Sequence, residues 1–80
     1  MIDHLAPAEI LDGPEAVIAA IRAARVHATR AERLLLEVPL MEVAGKHDEA
    51  VETLRAARDR LRESCHIVET IVGTREREVT

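Results

Sequence analysis

The stretch VIAAIRAARVHATRAERLLLEV, residues 17–38, decides the fold. Its positions Val17, Ile21, Ala24, Ala28, Ala31, Leu35 and Val38 recur at alternating intervals of four and three, the rhythm of one helix face in a heptad pattern. Ala50, Leu54, Ala57, Leu61, Ser64, Val68 and Ile71 repeat that rhythm further along the chain. Two long amphipathic segments joined by a short connection predict an all-α fold, an antiparallel two-helix hairpin. Only alanines fill the middle of the first stripe, so another helix can approach closely there.

Working outward from this stretch, residues 1–13 hold Ile2, Leu5, Ile10 and Leu11 among Pro7, Asp12 and Gly13, and read as a short N-terminal arm folding back on the hairpin. Asp12-Gly13-Pro14-Glu15 reads as a helix start, with Asp12 as cap, Glu15 answering it and Pro14 in the first turn. Helix one is expected over about 14–38, because Pro39 lacks an N–H and disfavours helical geometry in the residue before it. The connection then spans 39–46, with a short helical turn from Pro39 ended by a left-handed Gly45. Helix two is expected over about 47–72, with Asp48 and Glu49 at its positive end, Gly73 as its stop and 73–80 as a frayed tail.

The chain has 80 residues, one cysteine and no Phe, Tyr or Trp. Aromatic side chains supply the largest buried areas in most cores, so this core must be assembled from Leu, Ile, Val and alanine, and it is thin. An isolated hairpin of this size has a stability near zero unless something packs on it. Self-association is therefore expected, two hairpins making a four-helix bundle. A lone Cys65 excludes an intramolecular disulfide and a cysteine-based zinc site within one chain. Fifteen acidic residues against eleven basic ones give a net charge of −4, which disfavours nucleic acid as a partner. No segment approaches the ~20 apolar residues of a membrane span, and neither a basic start nor an apolar leader follows Met1. A cytoplasmic setting without a membrane is the expectation.

Gly45-Lys46-His47-Asp48-Glu49-Ala50, followed by Leu54 and Ala57, resembles the inter-helix turn and second helix of a tetratricopeptide repeat, over about half of one motif. The pattern departs upstream, where Val38 replaces a small residue, Pro39 interrupts the first helix and the usual aromatics are missing. No second copy follows, whereas solenoids need several. The resemblance implies helix–turn–helix packing and nothing catalytic.

Glu63-Ser64-Cys65-His66 contains a Glu-x-x-His pair, the spacing used by di-iron carboxylate bundles. Together with Glu32 it resembles the two-helix encapsulated ferritins, which complete a di-metal site where two hairpins meet. That resemblance implies an inter-subunit metal site at Glu32, Glu63 and His66. Against it, Arg30 and Arg33 flank Glu32, and at roughly 100° per residue Glu63 and His66 fall opposite the Leu54, Leu61 and Val68 stripe. A solvated face explains the pair equally well, and no cofactor is expected. His27 reads as a side chain at the margin of an interface, and Cys65 as a small hydrophobe at the edge of the second stripe. No nucleophile–base constellation is visible, so no enzyme is expected.

Arg22, Arg25, Arg30 and Arg33 in helix one and Arg55, Arg58, Arg60 and Arg62 in helix two scatter in projection. Acidic residues are interleaved as Glu52-Arg55, Arg55-Asp59 and Asp59-Arg62, the usual dressing of exposed helices. Arg58 or Arg62 is expected to reach Glu32 or Glu37, within the chain or between chains. The sequence thus predicts a non-enzymatic interaction module, a homodimer or a subunit, adaptor or assembly factor docking on a larger protein. Its interface is Val17, Ile21, Ala24, Ala28, Ala31, Leu35, Leu54, Ala57, Leu61, Val68 and Ile71. The alternatives are the ferritin-like metal bundle and a small DNA-binding regulator.

Overall fold

The computed structural model describes residues 13–79, which form two α-helices, α1 (Pro14–Val43) and α2 (His47–Val79), packed against each other. The expected arm therefore lies, apart from Gly13, outside the described residues. Gly13 is the N-cap of α1, in extended conformation, and among the described residues no side chain caps the helix. Its carbonyl accepts the Val17 N–H at 3.0 Å, and Pro14 occupies the first turn, where a missing N–H costs nothing. The N-cap position is thus Gly13, and the expected role of Asp12 lies outside the described residues.

The end of α1 also differs from expectation: the helix runs through Pro39 to Val43, five residues past Val38. Pro39 lies on the exposed side, where water can serve the Leu35 carbonyl that it leaves without a donor. Half-buried Val38 and Met41 on either side hold that last stretch against α2, and the Thr53 hydroxyl donates to Met41 Sδ at 3.4 Å. Proline's local preference is thus overridden by packing, and the connection shrinks to Ala44-Gly45-Lys46.

That connection is closed by the backbone. Lys46 N–H donates to the Met41 carbonyl at 2.8 Å and Gly45 N–H to the Glu42 carbonyl at 3.0 Å, the paired bonds of a Schellman motif. Gly45 has φ 74°, the only positive φ among the described residues, so the sequence expectation of a left-handed glycine is met. His47 Nδ1–H donates to Glu42 Oε1 at 3.0 Å across the turn, and Asp48 and Glu49 occupy the positive end of α2.

α2 does not stop at Gly73 but continues to Val79. Gly73 is an interior residue: nothing at that point offers a cap, Thr70 and Thr74 return their hydroxyls to the carbonyls of His66 and Thr70 at 2.9 Å, and Arg75 pairs with Glu78 at 2.9 Å. A single glycine costs a helix about 1 kcal/mol, and half-buried Ile71 and Thr74 supply packing on both sides of it. The tail expected to fray is therefore helical over 73–79.

The core of the hairpin consists of alanines. Ala24, Ala31, Ala50 and Ala57, at 0–5% exposure, are the buried hydrophobic residues among those described. They lie seven apart within each helix, and half-buried residues extend the same line to Val17 and Val38 in α1 and to Ser64 and Ile71 in α2. Beside that line run Ala20, His27, Leu34 and Met41 in α1 and Thr53, Arg60, Ile67 and Thr74 in α2, all half-buried. Alanine brings the two backbones close, at the expense of the apolar area that larger side chains would bury.

Candidate interaction surface

The sequence stripes divide in the structure. Of the eleven expected interface residues, Val17, Ala24, Ala31, Ala57 and Ile71 lie in the hairpin's own seam. Ile21, Leu35, Leu54, Leu61 and Val68 do not: each remains 42–48% exposed, and Ala28 is half-buried. The seam instead takes the residues one position earlier, Ala20, His27 and Leu34 in α1 and Thr53, Arg60 and Ile67 in α2. The buried alanines Ala24, Ala31, Ala50 and Ala57 mark the line along which the helices meet, and the residues on either side of that line go to opposite faces of the hairpin.

The displaced residues from both helices come out on one side. Leu35, Leu54 and Leu61 line a shallow groove with Ala57, rimmed by Arg58, Arg62 and Cys65. Heptad register puts Ile21 and Val68 on the same face, and Ile18, Val51 and Val72 at its outer margins. These five are 44–49% exposed. Cys65 is exposed at this rim and not, as its residue type suggests, buried. A further apolar ridge runs along the outer side of α1, where Leu36, Leu40 and Val43, at i, i+4 and i+7, are 71%, 74% and 88% exposed.

The opposite face of the hairpin is polar. The seam is bridged there by Arg60, whose Nη1–H donates to His27 Nδ1 at 3.1 Å. Guanidinium has no acceptor, so this bond requires the lone pair of a neutral imidazole at Nδ1. Sequence reasoning missed this contact, because a His and an Arg that are both polar and 33 residues apart carry no pairing signal. Glu63 and His66 are exposed on this side, whereas register puts Glu32 at the margin of the apolar face. One chain therefore does not bring Glu32 together with Glu63 and His66. No group of three or more His, Cys, Asp or Glu among the described residues is arranged to hold a metal ion.

The charges also sort differently from the projection. Arg22, Arg25, Arg30 and Arg33, expected to scatter, line one depression on α1 with Val26 and Thr29. None of the interleaved pairs forms, and Arg58 instead holds its neighbour Asp59 at 3.2 Å. Neither Arg58 nor Arg62 reaches Glu32 or Glu37 within the chain. No described helix is long and apolar enough to cross a membrane. Comparison with protein-family models, curated proteins and solved structures gives no match, so no relative lends this chain a family or an activity.

Proposed function

We propose that this hairpin is a non-enzymatic helical interaction module that works by covering its apolar face with a partner. The observation behind this reading is the inversion of the usual order: the fully buried residues among those described are alanines, while eight larger apolar side chains (Ile18, Ile21, Leu35, Val51, Leu54, Leu61, Val68 and Val72) stand half out of the protein on one face. Completing the burial of half a Leu, Ile or Val contributes about 1 kcal/mol. Eight such residues contribute about 8 kcal/mol from this chain alone, comparable to the roughly 4–15 kcal/mol lost in association. Contiguous exposed apolar surface of this kind marks interaction sites. The ridge at Leu36, Leu40 and Val43 has the i, i+4, i+7 spacing of a helix that docks in a groove, which suits an adaptor or assembly factor carrying a second, larger partner.

The experiment is site-specific photo-crosslinking in cells, with the reactive group at Leu61 in one variant and at Glu63 in another. Adducts at Leu61 and their absence at Glu63 support the module. Equal labelling at both positions, or none at either, refutes it.

The arginine ridge of α1 favours a second reading, a small DNA-binding regulator, since four guanidinium groups gather there without ion-pair partners among the described residues. It predicts retention on DNA that falls steeply with salt and is lost when Arg22, Arg25, Arg30 and Arg33 become alanine. The chain's net charge of −4 works against it.

A further inference from the structure

The direction in which the apolar stripe points says more than its exposure. In a hairpin that ends at its own seam, the largest apolar residues point straight at the neighbouring helix. Here the line from Ala24 through Ala31 does so, while Ile21 and Leu35 are turned from it by roughly 40°. Leu54 and Leu61 are turned by the same amount from Ala50 and Ala57, and toward the same face, since Leu35, Leu54 and Leu61 meet in one groove. A stripe displaced equally on both helices, to the same side, points at the axis of a four-helix bundle.

We propose that the apolar face is covered by a second copy of this chain, laid face to face about a two-fold axis parallel to the helices, so that α1 of each copy lies over α2 of the other. This rests on the interaction-module reading above and names its partner. At roughly 80 Å² apiece, the eight half-exposed residues offer about 600 Å² per copy, close to the ~800 Å² per partner of a standard interface once the rim side chains are added. A two-helix layer is also the width of covering that a two-helix face requires.

The margins of the face complement each other under this operation. Ile18 and Glu32 stand on the outer edge of α1, and Val72 and Arg58 stand level with them on the outer edge of α2. The two-fold axis brings Ile18 of one copy to Val72 of the other, and Glu32 to Arg58. Within the chain Glu32 has no ion pair or hydrogen bond among the described residues, and Arg58 holds only the adjacent Asp59. Each copy thus presents an unpaired acid on one edge and a nearly free base at the matching height on the other. Glu63 and His66 face away from the covered surface, so this dimer forms without a metal site between its subunits.

The purified 80-residue chain should run by light scattering at twice 8.9 kDa, with helical circular dichroism. Glu32→Arg and Arg58→Glu each set like charges against one another at two places and should weaken the dimer about tenfold in Kd. Mixed in equal amounts, the two variants form a heterodimer in which both contacts are acid with base, and the mass returns to that of the dimer. This rescue involves no apolar substitution, so it leaves the packing of the hairpin untouched. A helical species of 8.9 kDa at every concentration overturns the second copy as partner while leaving the module intact, as adducts at Leu61 to another protein then show. Loss without rescue in the mixture overturns the two-fold arrangement. A helical monomer with no adduct at Leu61 removes both the inference and the reading beneath it.

Discussion

Two glycines in this chain carry opposite conformational demands. Gly45 sits at φ 74° and its N–H closes the turn on Glu42, so a Cβ there is strained although the space around it is open. Gly45→Ala should cost about 1–2 kcal/mol, measured as a lower urea midpoint at unchanged slope. Gly73 lies inside α2, and a Cβ would meet only the far end of Arg77 at 3.6 Å, an ordinary contact. Gly73→Ala should therefore stabilise the chain by about 0.5–1 kcal/mol, seen as a higher melting temperature. From the sequence, both residues read as stops. The difference comes from their neighbours: Gly45 is followed by a residue whose N–H returns to Met41, while Gly73 is followed by a threonine that continues the helix.

The helices raise the same question at Pro39. A proline inside a helix removes one backbone bond and crowds the preceding turn, at about 3 kcal/mol, yet α1 continues through it because Val38 and Met41 are held against α2. Pro39→Ala restores the donor to the Leu35 carbonyl without touching the seam. It should raise stability by about 1–3 kcal/mol, with an increase in helical ellipticity near the turn end. A fall in stability would show that proline's rigidity in the unfolded chain outweighs its cost in the helix. The element scale also explains the one-position error in half of the stripe. An interval of four and three and an interval of three and four share every other position, so the spacing within one helix is compatible with either side of the line through Ala24 and Ala31.

Taken whole, the hairpin buries small residues and shows large ones, so its stability and its association belong to one equilibrium. Ala28 stands at the middle of the apolar face and is half-buried. Ala28→Glu should abolish association and return the mass to that of one chain, whereas Glu63→Ala and His66→Ala, on the polar face, should leave the mass unchanged. Dissociation by His66→Ala alone, reversed by added metal, would reinstate the ferritin-like arrangement. The ridge at Leu36, Leu40 and Val43 lies outside the proposed dimer face, so changes there separate self-association from the docking of a larger partner.

The sequence by itself determined that the chain is helical, that it has two long segments, and which residues are apolar enough to require covering. It did so because a 3.6-residue period is a local property, written in the spacing of Val17, Ala24 and Ala31 as plainly as in that of Ala50 and Ala57. Only the tertiary structure decided which apolar residues meet each other and which are left outside. That choice rests on how closely two backbones approach, a quantity fixed by alanines on both helices at once and absent from either helix alone. The same holds for the passage of α1 through Pro39, with Val38 and Met41 half-buried on either side, and for the bond between Arg60 and His27, which joins α1 to α2.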